Sequence, residues 1–97
     1  MPGRYTVVVS PLADAELQRM IERYPLDPDT RSRLRERLAV LERFPFVGRD
    51  LPQGKWEGHQ LLFGPFAWMA SVYRVENSVV RVVTIEDCRR AGAASGA

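Results

Sequence analysis

Residues 5–10 read Tyr-Thr-Val-Val-Val-Ser, and the run halts at Pro11. A β-branched, aromatic run of that length predicts a strand over 5–10. Ser10 stands where a helix N-cap belongs, Pro11 suits the first helical position, and Asp14 and Glu16 put negative charge near the positive end of the helix dipole. Ala13, Leu17, Met20, Ile21 and Tyr24 then recur at helical spacing, a single buried stripe that Pro25 ends. After the turn Leu26-Asp-Pro-Asp, a second stripe of Leu34, Leu38, Leu41 and Phe44 predicts a helix running to about Phe44. Two helices so closely joined fold back as a hairpin, whose leucine stripes need a sheet to cover.

Residues 45–58 hold prolines and glycines and read as a long loop anchored by Trp56. From Glu57 the period changes to two, and 58–63, 67–75 and 79–86 form three strand candidates. The order β-α-α-β-β-β predicts an α+β domain, with a two-helix hairpin on one face of an antiparallel four-stranded sheet. A two-residue turn at Asn77-Ser78 would set Arg74 opposite Arg81, Tyr73 opposite Val82 and Ser71 opposite Thr84. One face then carries Trp68, Ala70, Val72, Val83 and Ile85, the better core, and the other Met69, Ser71, Tyr73, Thr84 and Glu86. A three-residue loop would instead bring Tyr73 against Arg81 and invert the last strand. The tail 91–97 contains only Ala, Gly and Ser and reads as disordered, leaving 1–90 as one domain.

A chain of 97 residues supports one core. Fourteen basic against twelve acidic side chains leave a formal charge of +2, which permits an anionic partner without requiring one. The single cysteine, Cys88, excludes an internal disulfide, and together with the single histidine, His59, it leaves too few ligands for structural zinc, so neither metal nor cofactor is expected. The early apolar run stops at Ser10-Pro11, too short for a secretory segment or membrane span, and a reducing cytoplasm is the expected setting.

Three segments carry a resemblance: Tyr5-Thr-Val-Val-Val-Ser-Pro-Leu-Ala, Leu41-Glu-Arg-Phe-Pro-Phe-Val-Gly-Arg-Asp-Leu, and the hairpin Val72-Tyr-Arg-Val-Glu-Asn-Ser-Val-Val-Arg-Val-Val-Thr-Ile ending at Arg89. In this order and spacing the chain resembles the RelE/ParE superfamily, the toxins of bacterial type II toxin–antitoxin modules. The resemblance implies a cognate antitoxin partner and two possible modes of action. A ParE-like chain would grip an essential target such as DNA gyrase; a RelE-like one would cut mRNA on the ribosome with basic side chains and a general acid or base. The sequence departs from the nuclease pattern. Ala70 stands where such enzymes often carry arginine, and no tyrosine or histidine follows Tyr73.

Arg89 matches the basic position after the last strand, so a nuclease would draw its catalytic candidates from Arg89, Arg81 and His59, imidazole being the side chain most used as a general acid or base. Lys55, Tyr73, Arg74 and Arg90 complete the set for gripping a target, with Tyr73 read more readily as packing with its hydroxyl satisfied. Arg74 and Arg81, if paired, would repel unless an anion, or Glu57 or Glu76, offsets them. Arg31, Arg33, Arg35 and Arg37 read as a solvated helix face, neutralised by Asp29, Glu36 and Glu42. A third reading, a small interaction module without toxicity, remains open.

Overall fold

A computed structural model of the protein describes residues 4–89. Arg90, the tail 91–97 and hence the domain end at 90 lie outside the described residues. The chain runs β1 (Thr6–Val9), α1 (Pro11–Arg23), α2 (Thr30–Leu38), a 3-10 turn (Ala39–Glu42), β2 (Arg49–Asp50), β3 (Gln60–Phe63), β4 (Met69–Glu76) and β5 (Val79–Asp87). The fold is α+β, with both helices on one side of the sheet.

The sheet departs from the four antiparallel strands expected. It has five strands in the order β1-β5-β4-β3-β2, and β1 runs parallel to β5 while the other pairs are antiparallel. The helical hairpin carries the chain from β1 at one edge of the sheet to β2 at the other, and the meander β2-β3-β4-β5 then returns to set β5 beside β1. The added strand, β2, is two residues long and lies inside the Pro/Gly-rich loop, too short to show a period.

Ser10 caps α1 as its position suggested. Its Oγ accepts from the Ala13 N–H at 3.0 Å and donates to the Val83 carbonyl at 3.0 Å, tying the helix start to β5. Glu16 adds a second tie, accepting from the Ile85 N–H at 3.1 Å and from the Thr84 hydroxyl. The second helix stops at Leu38, earlier than its apolar stripe implied. The tighter 3-10 turn keeps Leu41 buried, and the chain then leaves the helix axis so that Phe44 is 59% exposed.

Ala13, Leu17, Leu34, Leu38 and Leu41 pack on Leu62, Met69, Tyr73, Val80, Val82 and Ile85 of the sheet. This corrects the face assignment. The two-residue turn pairs Arg74 with Arg81 and Tyr73 with Val82, but a register shift at Val72/Tyr73 then pairs Val72 with Thr84 and Ser71 with Ile85. The bulge inserts one residue into β5, so Ile85 joins Met69 and Tyr73 on the helix side while Ala70 and Val72 face away. Alternation could not reveal this because both faces are apolar. Leu61, Ala70 and Val72 form a second layer with Phe63, Val83 and Cys88, covered by Leu51 and Trp56 of the loop before β3.

Candidate target-binding face

Since Tyr73 and Val82 point to the helices, Arg74 and Arg81 project from the opposite face, directly across from each other. Gln60 pairs with Tyr73, so His59, one residue earlier, is level with Arg74 and extends the same row. His59 meets the edge of Trp56 at 5.3 Å between centroids, and the Lys55 ammonium lies 5.2 Å from the Trp56 centroid. Arg49, opposite Leu61, belongs to the adjacent row on this face. His59, Arg74 and Arg81 are therefore brought together at the hairpin end of the sheet, and Lys55 joins their surroundings through Trp56. Arg74 pairs with Glu76 at 3.3 Å, both ends exposed, a contact worth little in solvent. Arg81 has no ion pair among the described residues, and the face keeps an excess of positive charge.

The remaining candidates lie elsewhere. Tyr73 is fully buried on the helix side, with its hydroxyl accepting from the Gly48 N–H at 2.9 Å, so it reaches no target. Burial pushes its phenol above the ordinary tyrosine range, opposed by that hydrogen bond and reinforced by Asp50. Arg90 is outside the described residues.

Arg89 sits beyond the far end of β5, where its Nε and Nη2 grip Asp87 at 3.0 and 3.1 Å. Its guanidinium lies 3.9 Å from the Trp68 centroid and 4.7 Å from that of Tyr24, and the Tyr24 hydroxyl donates to Asp87 at 2.6 Å. Phe66 stacks on Trp68 at 5.3 Å, with Arg33 over Phe66 at 4.9 Å. Arginines and aromatic rings thus form one continuous ladder from α2 to the end of β5. Six residues of strand, about 20 Å, separate Arg81 from Asp87. Arg89 cannot share one phosphate with Arg81 and His59, whereas phosphodiester transfer needs its acid, base and cations within a few ångströms.

Hydrogen bonds from Arg89, then the Tyr24 hydroxyl, hold the Asp87 carboxyl well below the usual carboxylate range, against the pull of burial. A depressed folded value means stability that is complete above the unfolded value near 3.9 and lost as pH falls below it. Asp87→Asn should therefore lower the melting temperature at pH 7 and flatten its fall between about pH 4.5 and 2, read from melts across that range.

Of the helix arginines Arg35 and Arg37 are exposed and Arg31 and Arg33 half-buried, and those with partners find ones other than Asp29 and Glu36. Arg31 bonds Asp14 and Gln18 of α1 at 2.5 and 2.7 Å, Arg37 donates to the Phe63 carbonyl at 2.7 Å, and Arg33 joins the ladder. Between α1, α2 and β1 runs a groove of about 390 Å³, floored by Val7, Val9, Leu17, Leu34 and Leu38 and rimmed by Asp14, Arg31, Arg35 and Glu42. β1 is the sheet's edge, and Val8, Val9 and Leu12 beside it are 36–53% exposed. Sequence reading missed this groove because strand patterning does not show which strand ends at an edge. It missed Arg49 for want of a detectable β2. Among the described residues no cluster of three metal-ligating side chains exists, and no helix is long and apolar enough to cross a membrane.

These features define a small α+β domain with a basic sheet face and an apolar edge groove. Its fold is that of chains in toxin–antitoxin assemblies. A chain of the chromosomal ParDE system from P. aeruginosa superposes with TM-score 0.65 at 15% identity, covering 84% of this chain and 94% of that one. A chain of the RelBE2 toxin–antitoxin complex from Mycobacterium tuberculosis gives TM-score 0.61 at 21% identity, covering 84% and 95%. No protein-family model matches the sequence, and no curated protein does.

Proposed function

We propose that the protein is the toxin of a type II toxin–antitoxin module, arresting growth by gripping an essential macromolecule and neutralised by a cognate antitoxin. The observation that carries this reading is the gathering of Lys55, His59, Arg74 and Arg81 on the face the helices leave free, on a fold like that of the ParDE and RelBE2 chains. The groove beside β1 suits the antitoxin. An extended segment there would cover Val7 and Val9, pair with the free strand edge and meet charges of both signs on the rim. A ParE-like target such as DNA gyrase fits a chain whose Arg89 is committed to Asp87. The RelE-like reading, cleavage of mRNA on the ribosome, draws on one specific feature, the imidazole of His59 level with two arginines.

Inducible expression with and without the neighbouring small reading frame tests this. Arrest in its absence, growth in its presence and a co-purifying complex are expected. The Arg74→Ala, Arg81→Ala double variant should need at least about tenfold more inducer to arrest cells, because each arginine lost from a binding face costs on the order of 1 kcal/mol or more. Cut transcripts in arrested cells would favour the nuclease; growth without the neighbouring product would leave only a harmless module.

A further inference from the structure

Among the described residues the three most exposed large apolar side chains belong to one loop: Phe46 at 65%, Phe44 at 59% and Val47 at 57%. They are held firmly. A turn with Pro45 at its second position closes through the Val47 N–H to the Phe44 carbonyl at 3.1 Å, and Pro45 itself is buried. Two buried side chains of the sheet fasten the far half. Tyr73 receives the Gly48 N–H at 2.9 Å, and the Gln60 carboxamide reaches the carbonyls of Phe46 and Gly48 at 3.4 and 3.3 Å. Gly48 is required here, since a Cβ would fall 2.5 Å from both the Leu61 carbonyl and the Tyr73 hydroxyl. Arg43 and Arg49 bracket the loop; both are exposed, neither has an ion pair among the described residues, and residues 43–49 contain no acid.

We propose that the loop at 44–47 is a rigid apolar knob that docks in a cleft of a protein growth target, a cleft with an apolar floor and a carboxylate rim. The proposal rests on the toxin reading above and gives its target a chemical class. Exposed aromatics framed by arginine, on backbone fixed in advance, are what a protein–protein hot spot uses, because little ordering entropy is lost on docking. A lipid surface would need no such fixing, and a nucleic acid would leave Val47 without a partner. Arg49 also belongs to the basic face, so knob and face meet at the β2 edge and one target can touch both.

The Phe46→Ser, Val47→Ser double variant tests the assignment, since both side chains are exposed and the melting temperature should hold. Inducer titration should show arrest weakened at least about tenfold, while affinity for the purified neighbouring-frame product stays within about twofold of wild type. Arg43→Glu with Arg49→Glu should weaken arrest in the same way. Unchanged arrest would overturn the proposal. Equal loss of antitoxin affinity would overturn it by assigning the knob to the antitoxin, and transcript cutting abolished by the knob variant would do so by assigning it to RNA. Wild-type expression without arrest would instead defeat the toxin reading, and this inference with it.

Discussion

Leu38→Asp should abolish the cooperative thermal transition. Leu38 is 4% exposed and stands with Leu34 and Leu41 where α2 meets the sheet. Its burial contributes about 1.5–3 kcal/mol, and a carboxylate there would be desolvated among hydrocarbon, with a cost of several kcal/mol more. A domain of this size has roughly 5–15 kcal/mol in total, so the sum consumes most or all of it. Loss of near-ultraviolet dichroism and of slow amide exchange would record the outcome. Leu12→Asp is the control: at 53% exposure it should change stability by no more than about 0.5 kcal/mol. A Leu38→Asp protein that melts normally would place the helix face wrongly.

Elements whose signals are local were legible in the sequence. Ser10-Pro11 announced the α1 cap because its partner, the Ala13 N–H, lies three residues away. Asn77-Ser78 announced the hairpin but left a two- or three-residue loop open; the structure takes the two-residue form, with Asn77 at the left-handed φ of 55° that such turns use. What failed depended on contacts far along the chain. The bulge at Val72/Tyr73 answers the need to keep Ile85 inside while Tyr73 supports the loop at Gly48, and neither demand is written near residue 72. The parallel placing of β1 beside β5 joins segments more than seventy residues apart.

The candidate site divided along the same line. His59, Arg74 and Arg81 fell together because strand register alone places them, and Lys55 followed through its contact with Trp56. Tyr73 is packed with its hydroxyl satisfied, the reading the sequence favoured over target contact, but its partner is the backbone of a loop whose course the sequence did not reveal. Arg89 misled because a terminal arginine looks free until Tyr24, Trp68 and Asp87, from three separate elements, converge on it.

Trp68→Ala should cost about 3 kcal/mol and lower the melting temperature by more than about 10 °C. The indole is the ladder's central rung: Phe66 stacks on it, Tyr24 meets it edge-on at 5.6 Å, and Arg89 covers it at 3.9 Å. Removing it takes away the packing of three neighbours at once and releases the guanidinium that neutralises Asp87, a side chain only 5% exposed. A buried carboxylate deprived of an ordered partner is costly, so the loss should exceed that of a half-buried ring in isolation. The same logic separates structure from activity at the end of β5. Arg89→Ala should also melt early, and any weakening of arrest it causes should fade when cells are grown cooler, because the variant regains its fold. The Arg74→Ala, Arg81→Ala protein should melt like wild type and stay weak at every temperature. An Arg89→Ala protein with wild-type stability and no arrest would return Arg89 to the chemistry and remove it from the ladder.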